Sequence, residues 1–244
     1  MMSSLQSAWQ MLRPGALRAA LRFCPICTKS RLIIRLDDNE IAIRCTSCRA
    51  SVVSMSIAAV IRKRCPSLAT LKIHELSSRG PLHHWLARQC PHLQRSEYFA
   101  GVPSGEYHNG VMCQDVQQMS LPDESLDLCT STDVFEHVPD DQAGFRNICR
   151  VLKPGGFFIF TVPLCGEQTI ERAHLLPSGG IEHLLPPEYH GDPIAESGRI
   201  LAFRNYGNDI TGKLKAAGFS DAHIEAPALP AYWGISRQVV VARK

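Results

Sequence analysis

An alternation of strand and helix patterns between residues 115 and 163 constrains the fold of this chain more than any other feature. Short apolar runs at 126–130 and 157–162 have the length and composition of buried strands, and the segment 140–152 between them has helical spacing. The second run follows the sequence KPGG, which is typical of a turn that ends a helix. This order of patterns predicts a sheet with a helix packed against it.

The same alternation extends beyond this segment in both directions. A helical pattern at 81–88 opens with Pro81, and another at 208–217 ends before Gly218. Further apolar segments typical of strands lie at 71–76, 95–99, 223–226 and 238–242. The whole pattern predicts an α/β fold whose sheet is mostly parallel and has helices on both faces.

The composition is that of one ordinary domain with a small appendage. The chain has 244 residues, of which 45% are hydrophobic, and a formal net charge of +3. This mild charge gives little support to nucleic-acid binding by the whole chain, although basic residues concentrate at 13–35 and 62–64. We therefore favour a small metabolite or a saccharide-type molecule as partner, with RNA as the alternative.

The usage of cysteine and apolar residues indicates a reducing compartment. Residues 1–22 lack the apolar core of a secretory signal, and no run reaches the length of a membrane span. Six cysteines occur singly among apolar segments: Cys65, Cys90, Cys113, Cys129, Cys149 and Cys165. Buried free thiols explain them better than disulfides do. We expect a cytoplasmic protein without a membrane partner.

Two Cys-x-x-Cys pairs indicate a separate module near the N-terminus. They are Cys24-Pro-Ile-Cys27 and Cys45-Thr-Ser-Cys48, a spacing expected of a structural zinc site. Four thiolates close a tetrahedral site and leave no open position for a catalytic water. Between the pairs, two alternating segments flank residues 37–39, which predicts a β-hairpin. The pattern is that of a zinc ribbon, in which bound metal supplies stability that so small a core lacks.

Other interpretations of this ribbon-like module remain open. The cysteines are also compatible with a redox or unliganded role, or with a ribbon that has lost its metal. Four arginines could contact phosphate, although a solvated face explains them at least as well. They are Arg31, Arg35, Arg44 and Arg49.

The segment 115–163 also contains four pieces whose order is typical of one protein family. They are the acid Asp115, the run LPDESLDLCTSTDVFEHVPD, a helix ending in RVLKPGG and the apolar strand FFIFTVP. With these pieces the chain resembles the class I S-adenosylmethionine-dependent methyltransferases of the type 11 group. The resemblance implies a Rossmann-like domain with a mostly parallel, seven-stranded sheet and an antiparallel final strand. It also implies S-adenosylmethionine as cofactor.

The resemblance and the cysteine pairs together predict the domain organisation. A tail or helix at 1–22 precedes the ribbon-like module at 23–52 and a connecting helix at 53–68. The methyltransferase domain follows at 69–244. Its insert at 166–204 comes after the fifth strand of the resembled fold and is expected to cover the acceptor pocket.

The first cofactor loop of the resembled fold corresponds to the sequence ELSSRG at 75–80. This family usually has an acid and a glycine-rich turn here, so that bare backbone approaches the methionine part of the cofactor. Ser77 and Ser78 stand where glycine is expected, whereas Gly80 remains. The resemblance assigns Glu75, these two serines and Gly80 to the cofactor, with Arg79 able to pair with its carboxylate. A serine-capped strand-to-helix turn is the alternative.

Three further contacts follow from the resemblance. Glu97 lies about 20 residues after the first acid, as the ribose-binding acid does in dinucleotide-binding folds. Asp115 and Val116 correspond to the adenine-binding segment, and Thr132 and Asp133 to the floor beneath the sulfonium. The alternatives are an exposed surface glutamate for Glu97 and a helix cap or loop residue for Asp115.

His137 is the first candidate for a catalytic base, because its ordinary pKa suits proton transfer and it follows Glu136 near the expected cofactor floor. Methyl transfer needs a base only where the acceptor must lose a proton, and otherwise depends on alignment. The alternative is that the Glu-His pair shapes the loop. Asp133, Glu136 and His137 also resemble a metal-binding arrangement of some quinone O-methyltransferases, which implies that they could bind one cation, although such patterns are common.

The insert contains the sequence EHLLPPEYHGDP, which is dense in side chains that donate, accept or transfer protons. Tyr189 and His190 are the next candidates for acceptor contacts or for the base. A polar surface loop explains them almost equally well. The departure at Ser77, Ser78 and Arg79 leaves a second class of function open, a cofactor fold retained only as a binding scaffold.

Overall fold

The computed structural model of this protein describes residues 14–192, 194–195, 197–227 and 231–244, which form two compact units. The first unit comprises Met1–Leu68, Arg79–Gln89 and Glu225–Val239, and the second comprises Ala69–Ser78, Cys90–Ile224 and Val240–Lys244. Within the described ranges, no helix has both the length and the apolar character that a membrane crossing requires.

A three-stranded antiparallel sheet opens the first unit. Its strands are β1 (Arg18–Cys24), β2 (Lys29–Arg35) and β3 (Ile43–Cys45), with β2 in the middle. The predicted hairpin is therefore confirmed as β2 and β3. The stretch 1–22 had been predicted as a tail or helix, but β1 begins at Arg18 because residues 18–24 pair with the whole length of β2. Residues 1–13 of that prediction lie outside the described residues.

Two helices belong to the same unit. Helix α1 (Val52–Arg64) begins after Ser51, whose hydroxyl accepts a hydrogen bond from the Ser54 amide at 3.5 Å. Its last turn is basic, which complements the negative end of the helix dipole. Helix α2 (Gly80–Gln89) contributes the buried Trp85, and the Arg62 guanidinium lies 5.0 Å from the centre of that ring.

The second unit contains the large sheet, two helices and the insert. Its strands are β4 (Ile73–Glu75), β5 (Gln94–Glu97), β6 (Tyr107–His108), β7 (Val111–Cys113), β8 (Leu126–Thr132), β9 (Leu152–Thr161), β10 (Ile170–Glu171), β11 (Ala173–Leu175), β12 (Ile181–His183), β13 (Tyr189–Gly191), β14 (Arg199–Leu201), β15 (Arg204–Asn205), β16 (Asp221–Glu225) and β17 (Val239–Arg243). The helices are α3 (Asp141–Val151) and α4 (Ile210–Ala216).

The large sheet has the order β16-β17-β9-β8-β4-β5-β7-β6. Strands β7, β5, β4, β8 and β9 run parallel to their neighbours in this series, and β17 is antiparallel to β9. The predicted Rossmann-like sheet, mostly parallel with an antiparallel final strand, is therefore confirmed. One strand more than expected is present, because the two residues of β6 pair with β7 at the edge.

The predicted boundary at the KPGG sequence is wrong, because these residues are part of β9 and not a break before it. Leu152 already pairs with Leu126, and the register then shifts, so that Leu128 pairs with Phe157. Gly155 accommodates the irregularity with a φ of +79°. A bulge of this kind keeps a strand continuous while it absorbs extra residues.

An aromatic core fixes the chain that follows β8. Phe158 and Phe160 on β9 and Phe145 on α3 pack around Phe135, which is fully buried. The first turn of α3 is capped by Asp140, whose carboxylate accepts a hydrogen bond from the Ala143 amide at 2.9 Å. The ring contacts of Phe135 thus hold segment 133–139 against the sheet and against α3.

The insert folds as three short antiparallel ribbons. Strand β10 pairs with β15, β11 with β12, and β13 with β14. Arg204 on β15 is 3% exposed, and its guanidinium donates to the Pro139 carbonyl at 2.7 Å and pairs with Glu171 at 3.1 Å. Further bonds to the carbonyls of Phe135 and Val138 join the base of the insert to segment 133–139.

Candidate cofactor and acceptor site

A cavity of about 390 Å³ opens at the carboxyl ends of β4, β5, β7 and β8. Ligands of doubly wound α/β sheets bind at this edge, where the loops that follow the strands converge. Its lining consists of Leu76, Ser96, Glu97, Tyr98, Gln114, Asp115, Val116, Gln117, Val134, His137, Val138, Pro139, Leu175, Ile200 and Phe203. The predicted site residues Glu97, Asp115, Val116 and His137 are among them.

Glu97 ends β5 and is held by the two serines that replace the expected glycines. Its Oε1 accepts hydrogen bonds from the Ser78 amide at 2.7 Å and the Ser78 hydroxyl at 2.9 Å. The Ser77 hydroxyl lies farther away, at 3.4 Å. Donors fixed around a carboxylate restrict its orientation, so this loop positions Glu97 at the wall of the cavity.

Asp115 follows β7 and caps a short 3-10 turn at Val116–Gln118. Its Oδ1 accepts from the Gln117 amide at 2.9 Å and from the Gln117 side-chain amide at 3.0 Å. The helix-cap alternative is therefore confirmed for this residue. The carboxylate still lines the cavity, as do Val116 and Gln117.

Glu75 lies behind the cavity wall and not in its lining. It is 1% exposed, and its carboxylate accepts a hydrogen bond from the Thr130 hydroxyl. Burial, together with the negative charge of Glu97, raises the pKa of Glu75 to about 8, although the hydrogen bond from Thr130 opposes the shift. A carboxyl group of this kind is largely protonated at neutral pH. Its hydrogen bond with Thr130 joins the neighbouring strands β4 and β8.

Gly80, Thr132 and Asp133 also lie outside the lining of the cavity. Gly80 begins α2 with a φ of +88°, which favours glycine. Asp133 follows β8, and its Oδ1 accepts from the Thr161 hydroxyl at 3.0 Å. The lining after β8 is formed instead by Val134 and His137.

His137 meets two other polar side chains at the acceptor end of the cavity. Its Nε2 lies 3.8 Å from an oxygen of Glu136, and the same oxygen lies 3.8 Å from Nδ1 of His190. The two imidazoles meet edge to face with centroids 4.8 Å apart. One ligand atom from each of the three residues lies within 4.8 Å of the others, so the group could hold a metal ion. Asp133 is not a member of this group.

Electrostatics at this cluster are dominated by burial. Glu136 is 2% exposed, and His137 is partly buried among apolar residues. Burial lowers the pKa of His137, although its hydrogen bond to the Leu201 carbonyl opposes the shift. The neutral imidazole is therefore the favoured form near neutral pH.

The structure separates Tyr189 from this group. Its side chain is 46% exposed, and the Arg199 guanidinium lies 4.5 Å from the ring centre. His190 turns the other way, and its Nε2 lies 3.2 Å from Glu188. Of the two insert residues predicted for the acceptor side, only His190 joins the cluster with Glu136.

Several lining residues were not predicted from the sequence. On the insert side they are Leu175, Ile200 and Phe203, which form an apolar wall with Val138. Their positions depend on how the three ribbons fold back, and no local pattern gives this. Tyr98 and Gln117 had a usable signal, because each lies within two positions of a predicted contact.

The four cysteines of the first unit converge on one point. Their sulfur atoms lie within 4.8 Å of one another, with Cys24 and Cys48 3.7 Å apart and Cys27 and Cys45 3.9 Å apart. All four are free thiols. Such an arrangement fits the four-thiolate donor set of a closed zinc site.

Comparison with known families relates part of the chain to methyltransferases. Residues 79–160 match the family described as methyltransferase domain. A ubiquinone biosynthesis O-methyltransferase of Coxiella burnetii is 33% identical over 84 residues, which cover 32% of this chain and 33% of the relative. A dimethylglycine N-methyltransferase of Parasynechococcus marenigrum is 36% identical over 61 residues, or 25% of this chain and 21% of the relative. The chain thus spans about a third of the length of the first of these relatives.

Solved structures with similarity to the chain include two methyltransferases. An S-adenosylmethionine-dependent methyltransferase from Mesorhizobium loti has a TM-score of 0.48 and 18% identity, and the match covers 76% of this chain and 96% of the other. A 1,6-didemethyltoxoflavin-N1-methyltransferase of Burkholderia thailandensis, solved with S-adenosylhomocysteine, has a TM-score of 0.45 and 14% identity. That match covers 77% of this chain and 76% of the other.

Proposed function

We propose that this chain transfers a methyl group from S-adenosylmethionine to a small molecule, because residues 79–160 match a methyltransferase domain family and the large sheet has the strand order of a Rossmann-like fold. One observation carries the proposal. The cavity lies at the carboxyl edge of the sheet, most of its lining residues fall within the matched segment 79–160, and the carboxylates of Glu97 and Asp115 line it. Both acids stand at strand ends where a nucleoside can be bound by its hydroxyls and its base.

We assign the cofactor contacts on this geometry. Glu97 is proposed to accept the ribose hydroxyls, and Asp115 and Val116 to flank the adenine. Ser78 acts on the cofactor through Glu97, because its hydroxyl donates to the carboxylate at 2.9 Å, and the Ser77 hydroxyl adds only a longer bond at 3.4 Å. S-adenosylmethionine supplies an already activated methyl group, so the protein needs above all to align the acceptor.

The remaining predicted contacts have a supporting role. Glu75 is buried behind the wall and stabilises the first loop through Thr130. Gly80 provides the backbone turn into α2, and Asp133 orients segment 133–139 through Thr161. We therefore assign Glu75, Gly80, Thr132 and Asp133 to the frame of the cofactor site and not to direct contacts.

The acceptor side combines an apolar wall with the histidine cluster. Leu175, Ile200 and Phe203 suit an acceptor with an apolar body, and His137 is the polar group that reaches the cavity from this side. We propose that His137, which lines the cavity, activates the acceptor with the help of the adjacent His190, whereas Tyr189 packs against Arg199 away from this cluster and has no part in it. The names of the matched relatives, an O- and an N-methyltransferase, also favour a small acceptor over RNA.

We further propose a structural zinc ion on the four cysteines of the first unit. Support comes from the convergence of their sulfur atoms and from the hairpin between the two pairs. A closed four-thiolate site leaves no position for substrate, so the metal would stabilise the ribbon and take no part in methyl transfer.

Calorimetric titration with S-adenosylmethionine and S-adenosylhomocysteine tests the proposed function. We expect both to bind, and we expect Glu97→Ala to weaken binding by about 1 to 3 kcal/mol, the usual effect of removing a buried charged hydrogen-bond partner. Glu106→Ala is the matched control, because Glu106 is an exposed acid close in sequence and outside the cavity lining.

Each result has a definite meaning. Binding that depends on Glu97 and not on Glu106 supports the proposed cofactor site. Equal binding by both variants would remove Glu97 from the site. If folded, zinc-loaded protein binds neither compound, the result would contradict the proposed methyltransferase activity. It would favour a binding scaffold that no longer takes the cofactor.

A further inference from the structure

The side chain of Gln117 lines the cavity and forms hydrogen bonds to two separate elements. One partner is Asp115, which caps the 3-10 turn after β7, and the other is Asp140, which caps α3. We propose that Gln117 is a positioning residue that orients Asp115 toward the base of the cofactor and joins this acid to the acceptor side of the cavity. The proposal deepens the proposed function and rests on it for the identity of the cofactor.

The two partners fix the direction in which the Gln117 carboxamide points. Its Nε2 donates to Oδ1 and Oδ2 of Asp115 at 3.0 and 3.2 Å, and its Oε1 accepts from the Asp140 amide at 2.9 Å. A carboxylate only accepts and a backbone N–H only donates, so the reversed orientation would lose these bonds. Glutamate at this position would place a second negative charge against Asp115. A side-chain amide therefore satisfies both partners at once.

The backbone of Gln117 binds the same two elements. Its amide donates to Oδ1 of Asp115 at 2.9 Å, and its carbonyl accepts from Nδ2 of Asn147, on α3, at 2.7 Å. All four polar groups of the residue thus have partners, and these partners belong to the turn and to the helix. Gln117 therefore holds the turn after β7 against α3.

This arrangement leaves one oxygen of Asp115 able to bind a ligand. Oδ1 accepts two hydrogen bonds from Gln117, whereas Oδ2 accepts one longer bond. Because each carboxylate oxygen has two lone pairs, Oδ2 keeps the capacity for a further donor, as far as the described residues are concerned. An amino group on the base of a nucleoside is such a donor. Without the Gln117 side chain the carboxylate could rotate, and the preference for an amino-substituted base would fall.

On its other side Gln117 reaches the start of α3, next to the acceptor wall. Asp140 directly follows Val138 and Pro139, which line the cavity, and its carboxylate accepts from the Ala143 amide at 2.9 Å. The Gln117 side chain thus lies between the acid proposed to contact the base and this wall. A cofactor that fixes Asp115 should therefore also fix the Asp140 amide, since both bind one planar carboxamide.

Calorimetry on the full chain with adenosine and with purine riboside, which lacks the amino group, tests the orientation of Asp115. We expect the native chain to prefer adenosine about tenfold. Gln117→Met keeps the length of the side chain but removes its hydrogen bonds, and should reduce this preference to about twofold. Gln117→Glu should do the same, because it keeps an acceptor for Asp140 but no donor to Asp115. Gln118→Met is the matched control, since Gln118 is exposed and outside the cavity lining.

Hydrogen exchange tests the connection to α3 in the native chain itself. Saturation with S-adenosylhomocysteine should slow exchange of the Asp140 amide, which donates to Gln117. The slowing should be lost in Gln117→Met and retained in Gln118→Met. A residue that only supports the fold would not make exchange at Asp140 depend on the ligand.

Two results would overturn the proposal while the proposed function stands. One is that Gln117→Met, with an unchanged melting temperature, keeps the native preference for adenosine. The other is that S-adenosylhomocysteine binds the native chain without slowing exchange at Asp140. If the native chain binds neither S-adenosylhomocysteine nor adenosine, the proposed function itself fails, and this role of Gln117 fails with it.

Discussion

The hydroxyl of Ser78 offers a sharp test of how this chain binds a nucleoside without the usual glycines. Replacement by alanine removes one of the donors to Glu97, at 2.9 Å, and leaves the Ser78 amide at 2.7 Å in place. Because Glu97 remains held by the amide, we expect the loss of one hydrogen bond and not of the site. A bond of this kind contributes about 1 kcal/mol net, so affinity for S-adenosylhomocysteine should fall about fivefold.

The expected loss has a signature that distinguishes positioning from general destabilisation. Ser78 is proposed to act through Glu97, the proposed acceptor of the ribose hydroxyls, so the effect should be present for adenosine and absent for 2′,3′-dideoxyadenosine. Calorimetry on the native chain and on Ser78→Ala with both nucleosides gives the coupling directly. Ser77→Ala is the matched control, because its hydroxyl is 3.4 Å from Glu97 and should change affinity less than about twofold.

Two outcomes would refute this reasoning. Unchanged affinity of Ser78→Ala for S-adenosylhomocysteine would show that the hydroxyl does not position Glu97. An equal loss for adenosine and for the dideoxy compound would show that the serine supports the loop and not the recognition of the ribose.

Further predictions concern pH dependence and metal removal. Glu75 has a pKa raised from 4.5 to about 8 in the folded protein, so the stability it contributes is fully present below pH 4.5 and is lost as the pH rises through 8. Urea unfolding between these pH values should show the native chain losing stability relative to Glu75→Gln, with a slope approaching about 1.4 kcal/mol per pH unit; parallel curves would contradict the buried, protonated carboxyl. Metal analysis of the purified protein should find a zinc ion that is lost in Cys24→Ser and retained in Cys165→Ser, because Cys165 is an exposed thiol outside the cluster. Chelation should lower the melting temperature of the native chain, and a folded, equally stable metal-free protein would end the zinc proposal.

The sheet could be predicted from the sequence because it depends on local patterns. The runs at 126–130 and 157–162 are short, apolar and separated by a helix, so the parallel pair β8 and β9 followed directly. The KPGG sequence led to the wrong prediction of a turn, because glycine and proline are common both in turns and in bulges. Only the pairing of Leu152 with Leu126 distinguishes the two, and that is a property of the neighbouring strand.

Site residues could be predicted where their position relative to a strand end indicates their role. They could not be predicted where the fold brings together segments that are distant in sequence. Glu97 and Asp115 could be placed because Glu97 ends one strand and Asp115 closely follows another, and the carboxyl ends of both strands face the cavity. The hydrogen bond between Ser78 and Glu97 could not be predicted, because hydrogen bonds between side chains of different loops produce no periodic pattern in the sequence. For the same reason the sequence could not show that His190 lies beside Glu136, whereas Tyr189 next to it turns away.

The buried guanidinium of Arg204 limits how the acceptor can reach the cavity. Its guanidinium donates to carbonyls of segment 133–139 and pairs with Glu171. It therefore connects the first and the last strand of the insert to the segment that follows β8. Movement of the insert away from the sheet would break the bonds of Arg204 to the carbonyls of segment 133–139 and its 3.7 Å contact with Asp141, which costs several kcal/mol. Under the proposed function, we expect acceptor and product to pass the outer ribbons, β11 to β14, so that substitutions at the tips of these ribbons change which molecules enter and leave the proposed cofactor contacts unchanged.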